Sequence, residues 1–432
     1  VTDERRSDGA PSISRRDALS ILAGAAIGGG ALVAENNSTA AQNTGRVKNF
    51  RIRTLTAGTP ITSFADTHAV DAALDFLATA RRRFEEAGYV VQTIRVALNP
   101  LLAGALPAAR ADALPKLVAL DALAAAHGAV ISIGPVFSLG DVDETIGTWA
   151  LQLALATKVL SFSGSVASAA QGVHRDAVVM AAKVISALTS AGAGGIANFR
   201  FAAAACVPPG TPFFPVAYHE GPPSLAVGLE SPGLVREAFT GAGNPTEASE
   251  RLRVLLDTEL RPVEKLAQVV AESGKRRYLG IDTSPAPGRD SSIGQALETL
   301  TGQPFGSAST LQACAAVTAG IKSVAVKTCG YSGLMLPILE DPVLAARVSE
   351  ERIKLSDLLL YSTVCGTGLD VVPVPGDASP QELARVIGDV ATLAVRLKKP
   401  LSARLFTVPG KKAGEHVDFT DPLLCSSKVM SL

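Results

Sequence analysis

Aromatic residues are scarce in this chain: Phe, Tyr and Trp together make up 5% of 432 residues, with a single Trp. That leaves no obvious aromatic patch for a protein partner, although homo-oligomerisation stays open. A run of like charge is also missing. Lys+Arg and Asp+Glu balance at 40 each and are interleaved, so the basic footprint of a nucleic-acid binder is absent. Of the five cysteines none forms a Cys-x-x-Cys pair, which removes zinc ribbons and thioredoxin-like redox motifs. No Gly-rich phosphate loop follows the first apolar strand, which argues against a dinucleotide-binding fold. No internal repeat of fixed period is evident. Nor does any uninterrupted apolar stretch reach the length of a stable membrane span.

What the chain does contain begins near its start. Ser14-Arg15-Arg16-Asp17 precedes an uncharged stretch, Ala18 to Ala34, rich in Ala and Gly. A basic pair before a mildly apolar run has the layout of a signal peptide, and paired arginines specify the twin-arginine route. Residues 1–41 therefore read as a leader that engages the twin-arginine export machinery, with cleavage near Ala40 or Ala41. The mature protein is then expected to be exported, periplasmic or extracellular. That route carries folded proteins and so is compatible with a bound cofactor.

Beyond residue 47 short β-branched runs alternate with longer amphipathic segments, the pattern of one α/β domain over 47–432. Ten strands are expected: 50–57, 89–98, 129–136, 158–163, 198–205, 224–230, 278–284, 323–328, 357–364 and 402–408. Several are continuously apolar, as strands covered on both faces are in a parallel sheet. Helices are expected over 69–87, 114–127, 143–155, 175–190, 246–273 and 380–397.

Six loop motifs accompany this pattern: Val91-Gln92-Thr93-Ile94-Arg95, Asn198-Phe199-Arg200-Phe201, the run from Pro212 to His219, the run from Gly330 to Pro337, Cys365-Gly366-Thr367-Gly368-Leu369-Asp370, and Pro409-Gly410-Lys411-Lys412-Ala413-Gly414. Together they resemble an uncharacterised bacterial and archaeal family labelled pyruvate-formate-lyase-like, from about residue 50 to the C-terminus. The resemblance implies a ten-stranded α/β barrel related to glycyl-radical enzymes and no established reaction. The leader departs from that family, whose members are expected in the cytoplasm. Radical chemistry itself is not expected. It needs Arg-Val-x-Gly-Tyr near the C-terminus, and the nearest match, Lys327-Thr328-Cys329-Gly330-Tyr331, lacks the Arg-Val and is followed by about a hundred residues.

In barrels of this type catalytic groups sit at the C-terminal ends of strands. That rule selects Cys365 as a candidate nucleophile before a Gly-Thr-Gly turn, with Asp282 and His219 as acid–base groups. Arg95, Arg200, Lys327, Lys411 and Lys412, with the backbone of Gly366 and Gly368, are candidate anion binders. Asp370 lies just beyond the ninth expected strand. A divalent metal, if bound, would draw on His219, Glu220, Glu230, Asp282 and His416, although no His-x-His or His-x-x-x-His spacing exists. Each candidate also has a plain structural reading. Cys365 can be a buried thiol under a tight turn, His219 and Glu220 a solvated turn, Asp282 a local hydrogen-bonding residue. The expectation is an exported hydrolase or lyase acting on a small anionic metabolite. The competing class is a ligand-binding protein without turnover.

Overall fold

A computed structural model describes residues 48–432. The leader, with Arg15, Arg16 and the cleavage site near Ala40, lies outside the described residues. The fold is mixed α/β, built on a ten-stranded sheet. Its strands are β1 (Arg51–Thr59), β2 (Val91–Leu98), β3 (Val130–Pro135), β4 (Leu160–Ser168), the two-residue β5 (Gly172–Val173), β6 (Phe201–Ala205), β7 (Ser224–Glu230), β8 (Arg277–Asp282), β9 (Gly368–Pro375) and β10 (Leu401–Val408). The order is β8-β7-β1-β2-β3-β4-β6-β10-β9, with β5 paired to β4. A small ribbon, β11 (His416–Val417) with β12 (Ser427–Lys428), lies apart.

The sheet is not wholly parallel, contrary to expectation. β1, β2, β3, β4 and β6 run in one direction, while β7 is antiparallel to β1 and β10 antiparallel to β6. The chain leaves β6 and, with no helix between, returns through residues 206–223 to start β7 from the same end of the sheet. A connection without a crossover helix delivers an antiparallel strand. The hydrogen-bonded ladder runs from β8 to β9 without a direct β8–β9 ladder among the described residues. One segment reaches both edges: Thr328 bridges to Ile281 of β8, and Pro337 bridges to Asp370 of β9.

Helices pack on the outer face for reasons legible in their sequences. In α1 (Thr67–Glu86) the buried residues Val70, Ala73, Leu74, Leu77, Ala80 and Phe84 recur at helical spacing, and Asp66 caps the first turn by accepting from Ala69 N–H. In α11 (Pro380–Leu397) Ser379 and Glu382 form a capping box with Pro380 at the first helical position. Each buried Leu or Ile on such a face contributes about 1.5–3 kcal/mol. Between these lie α2 (Pro107–Ala126), α3 (Ile146–Ala156), α4 (Arg175–Leu188), α5 (Pro232–Phe239), α6 (Pro245–Ser273), α7 (Ile293–Thr301), α8 (Thr310–Lys322), α9 (Pro342–Ser349) and α10 (Leu355–Tyr361). None of the described helices is long and apolar enough to cross a membrane.

Two expected strands are corrected. Residues 357–364 are not a strand: α10 occupies most of them, burying Leu355, Leu358 and Tyr361 three apart and leaving Leu360 half exposed. A short apolar run cannot be assigned by periodicity alone. Residues 323–328 contribute only the single bridge at Thr328. The strands that were missed are the two-residue β5 and the longer β9, the latter disguised by Gly368, Pro373 and Pro375. As the last strand of the ladder β9 tolerates proline where a central strand would not.

Candidate functional site

Three chain segments, residues 211–217, 284–288 and 329–337, pack against β6, where Phe213, Val216, Ala286, Tyr331 and Met335 form an inner apolar cluster with Ala202 and Ala204. The return loop plugs the C-terminal ends of the parallel strands. His219 N–H donates to Leu98 O at 3.0 Å, and Ser132 Oγ donates to Ala217 O at 2.7 Å. What stays open is a cavity of about 640 Å³ toward the opposite ends of those strands.

Its charged wall is an alternating chain of arginines and carboxylates. Arg53 of β1 meets Glu230 of β7 at 3.3 Å and Glu340 at 3.1 Å. Arg404 of β10 meets Glu340 at 2.6 Å and Asp370 of β9 at 2.7 Å. Glu230 also takes Arg51 at 3.2 Å and the Gln92 amide. Each carboxylate is therefore offset by at least one guanidinium, as burial demands. A local irregularity aims Asp370 inward. Leu369 pairs with Ala403 and Val372 with Leu405, so Asp370 and Val371 together oppose Arg404 in a bulge. Val371 sits at φ 46°, a conformation a β-branched residue rarely adopts. Asp370 Oδ1 accepts from Arg404 Nε, Oδ2 has no partner among the described residues, and burial raises this carboxyl above its ordinary range. Nearby, Tyr331 donates to Ser402 Oγ at 3.0 Å, and burial pushes its phenol up. Thr367 Oγ1 is buried in the wall without a partner among the described residues.

Arg95 differs from the other arginines. It projects from the middle of β2 into the cavity and forms no ion pair among the described residues. Its Nε donates to Thr93 Oγ1 at 3.1 Å, its guanidinium lies 5.0 Å from the Phe214 ring centroid, and its terminal nitrogens have no partner among the described residues. Burial, with the Arg53 and Arg404 charges beside it and only partial relief from Glu340, pulls it down to about 9. A half-buried guanidinium without a counter-charge is a natural partner for an anion.

The other expected site residues are scattered. Arg200 reaches the same cavity, but its guanidinium donates to Ala154 O, Thr157 O and Leu160 O, closing the C-terminal end of α3; burial lowers it to about 10. Glu230 belongs to the cavity rim. Cys365 is buried in the main core away from the cavity lining, with Lys399 Nζ donating to its carbonyl at 2.6 Å. The Gly366 amide donates to Leu334 O, so it is not free for an anion, and a Cβ there would sit 2.3 Å from Gly333 Cα. Gly368, at φ 87°, is likewise a close approach to Ser402 O. Asp282 is fully buried beneath the 330–333 turn. His219 is packed in the plug, its Nε2 2.9 Å from Gly221 O, and burial lowers its pKa. Glu220, Lys327, Lys412 and His416 are exposed and Lys411 half-buried, none of them lining the cavity. Among the described residues the five metal-ligand candidates do not converge, and no cluster of three or more His, Cys, Asp or Glu is placed to hold an ion. Sequence reasoning missed Arg53, Glu340 and Arg404. The available signal was a charged residue inside an otherwise buried apolar strand, which holds for Arg53 and Arg404; Glu340, in a short turn, gave none.

Fold and site together define a mixed α/β protein with a cavity, open at its rim, walled by paired arginines and carboxylates. The chain belongs to the family described as Uncharacterised ACR (DUF711), whose sequence profile matches residues 46–421. It is similar to UPF0210 proteins of Pyrobaculum islandicum (31% identity over 353 residues, 77% of this chain and 76% of that one) and Pyrobaculum aerophilum (32% over 353 residues, 77% and 76%). Another, from Acetivibrio thermocellus, is 28% identical over 419 residues, 89% of this chain and 91% of that one.

Proposed function

We propose that this protein is an enzyme acting on an organic anion, by hydrolysis or carbon–heteroatom lyase chemistry, inside the cavity. Arg95 holds the anionic group and Asp370 takes or gives the proton. The observation that carries this reading is Arg95 itself, a cavity-facing cation without an ion-pair partner among the described residues. Asp370 suits the second role because one oxygen is pinned by Arg404 while the other is unengaged, and because burial moves its pKa up toward the working range of an acid–base group. Cys365 is too deeply packed to reach a ligand there.

The test uses thermal stabilisation by a panel of carboxylates and phosphates, and turnover of an anionic metabolite extract followed by mass spectrometry. Arg95→Gln is expected to weaken anion binding at least tenfold, in line with the 1.5–3 kcal/mol of a charged hydrogen bond. Asp370→Asn should keep binding and lose about 10²–10⁴-fold in turnover. Equal stabilisation of wild type and Arg95→Gln would sink the anion reading. Binding with no product would favour a ligand-binding protein, a reading helped by the neutralisation of most cavity carboxylates by arginine.

The bridges at Thr328 and Pro337 support reading the sheet as a single-domain barrel, related to the pyruvate-formate-lyase-like fold, whose last gap is filled by residues 328–337. Export through the twin-arginine route rests on the leader motif alone. Arg15→Lys with Arg16→Lys is expected to abolish recovery of processed protein from the periplasm of an exporting host. Undiminished recovery would remove the proposal.

A further inference from the structure

The cavity is too large for a small anion and is not built for one. At about 640 Å³ it falls in the range of roughly 300–1,000 Å³ that encloses drug-sized organic ligands, far beyond the needs of a lone carboxylate or phosphate. Its polar groups are unevenly distributed. Arg53, Glu340, Asp370 and Arg404 form a connected wall from β1, β9, β10 and the turn at Glu340, with Arg95 beside them on β2. Other parts of the lining are apolar: Phe213, Val216 and Met335 come from the inner segments, and Ala202 and Ala286 complete that cluster.

This inner cluster is separate from the main hydrophobic core. Its lining members are already largely covered, with Phe213 7%, Val216 3% and Met335 5% exposed, and the cavity lies against the edges they leave. The two sides meet at aromatic rings. Arg95 lies 5.0 Å from the centroid of Phe214, and Arg404 lies 4.6 Å from that of Phe199. Each guanidinium is thus held against a ring face, which keeps its charge where apolar wall begins. Arg95 offers two unengaged terminal nitrogens, the fork that matches a carboxylate or phosphate edge. Thr367 Oγ1 adds a hydroxyl without a partner among the described residues.

We propose that the ligand of this cavity is an amphiphilic organic anion: a carboxylate or phosphate monoester head bound by Arg95, carrying an aliphatic or aromatic body that lies along Phe213, Val216 and Met335. This rests on the anion-site reading and goes beyond it by assigning the apolar part of the ligand. The head supplies orientation and the body supplies most of the affinity. Short, fully polar anions are then weak ligands, and a neutral molecule of the same shape leaves Arg95 unpaired.

The experiment is calorimetric titration of the full chain with acetate, hexanoate and decanoate, with inorganic phosphate, and with 3-phenylpropanoate against its neutral amide. Affinity is expected to rise by about threefold to fourfold for each buried methylene along the carboxylate series. 3-Phenylpropanoate should bind at least tenfold tighter than both acetate and 3-phenylpropanamide. Arg95→Gln should remove the preference for the acid over the amide while keeping the dependence on chain length. Ala286→Leu, which narrows the apolar side, should weaken decanoate by a larger factor than acetate, with urea unfolding as its folding control. If affinity is flat from acetate to decanoate but lost in Arg95→Gln, the amphiphile assignment is overturned and the anion site stands. If affinity follows chain length but the acid and the amide bind alike, both the head-group assignment and the anion-site reading fail. If no probe binds, both fail as well.

Discussion

Glu340→Ala is expected to lower the free energy of unfolding by about 3–5 kcal/mol, the cost of removing one member of a buried ionic network. Glu340 joins the two halves of the cavity wall: Oε2 lies 3.1 Å from Arg53 and Oε1 lies 2.6 Å from Arg404. The Glu340 and Arg404 side chains are each 9% exposed. Without the carboxylate, among the described residues Arg404 keeps Asp370 and Arg53 keeps Glu230 and the Gln92 amide oxygen, and three guanidiniums repel one another across the cavity, Arg95 among them. Glu340→Gln preserves shape and loses charge, so it should fall between wild type and Glu340→Ala. The contrast is Asp290→Ala at the rim. The Arg51–Asp290 pair has side-chain exposures of 39% and 60%, and a solvent-exposed pair contributes about 0–1 kcal/mol. Urea unfolding at neutral pH measures all three. Equal losses for Glu340→Ala and Asp290→Ala would mean that water screens the inner network as well as the rim, and that the cavity is wetter than its walls suggest.

The parts of this molecule that could be read from sequence are those where one physical rule acts alone. Strand β7 appears over Ser224–Glu230 and helix α11 over Pro380–Leu397, the bounds expected, because an uninterrupted apolar run and a capped amphipathic repeat each have one interpretation. Where two rules compete, the reading failed. Asp357–Val364 is apolar enough for a strand, but burial here repeats every three residues and the segment is helical to Tyr361. The choice of candidate residues rested on an assumed common strand direction that the sheet does not have. Choosing C-terminal strand ends assumes that all strands point the same way, and the reversal at residues 206–223 both turns β7 around and plugs the mouth with Ala217 and His219. Arg95, chosen as an anion binder at the end of its expected strand, lies in the middle of β2 and lines the cavity. The Glu340 network was not found, because its members come from β1, β7, β9, β10 and a turn, and only the folded sheet brings them together.

Asp282→Ala should cost on the order of 3–5 kcal/mol of stability, and its effect on ligand binding should follow from that loss rather than from chemistry. The Asp282 carboxylate is absent from the cavity lining. It accepts from Tyr331 N–H at 2.8 Å, Ser332 N–H at 2.9 Å and Ser284 N–H at 3.1 Å, and from Ser284 Oγ at 2.6 Å. Leaving buried N–H groups unmatched costs about 1–3 kcal/mol each. The Gly330 to Gly333 motif is built around this carboxylate. Gly330 has φ +63°, and a Cβ on it would lie 2.2 Å from Asp282 Oδ2. The turn carries Tyr331 directly, and Met335 and Pro337 further along, into the cavity wall, so its release should open the site and weaken ligands without touching them. Titration gives an independent check. Burial raises Asp282 from 3.8 to about 6, against the opposing pull of its hydrogen bonds to Ser284, Tyr331 and Ser332. A carboxyl that holds its proton more tightly when folded stabilises the fold fully below its unfolded pKa. That contribution, roughly 3 kcal/mol, fades as pH rises through the folded value. Wild-type stability should therefore carry a component that declines between about pH 4 and pH 6. Asp282→Asn, already neutral, should be less stable at pH 4 yet show a flatter profile over the same interval. A slope unchanged in Asp282→Asn would assign the titration to another buried carboxyl, with Asp341 and Asp370, both raised by burial, the next to test in the same way.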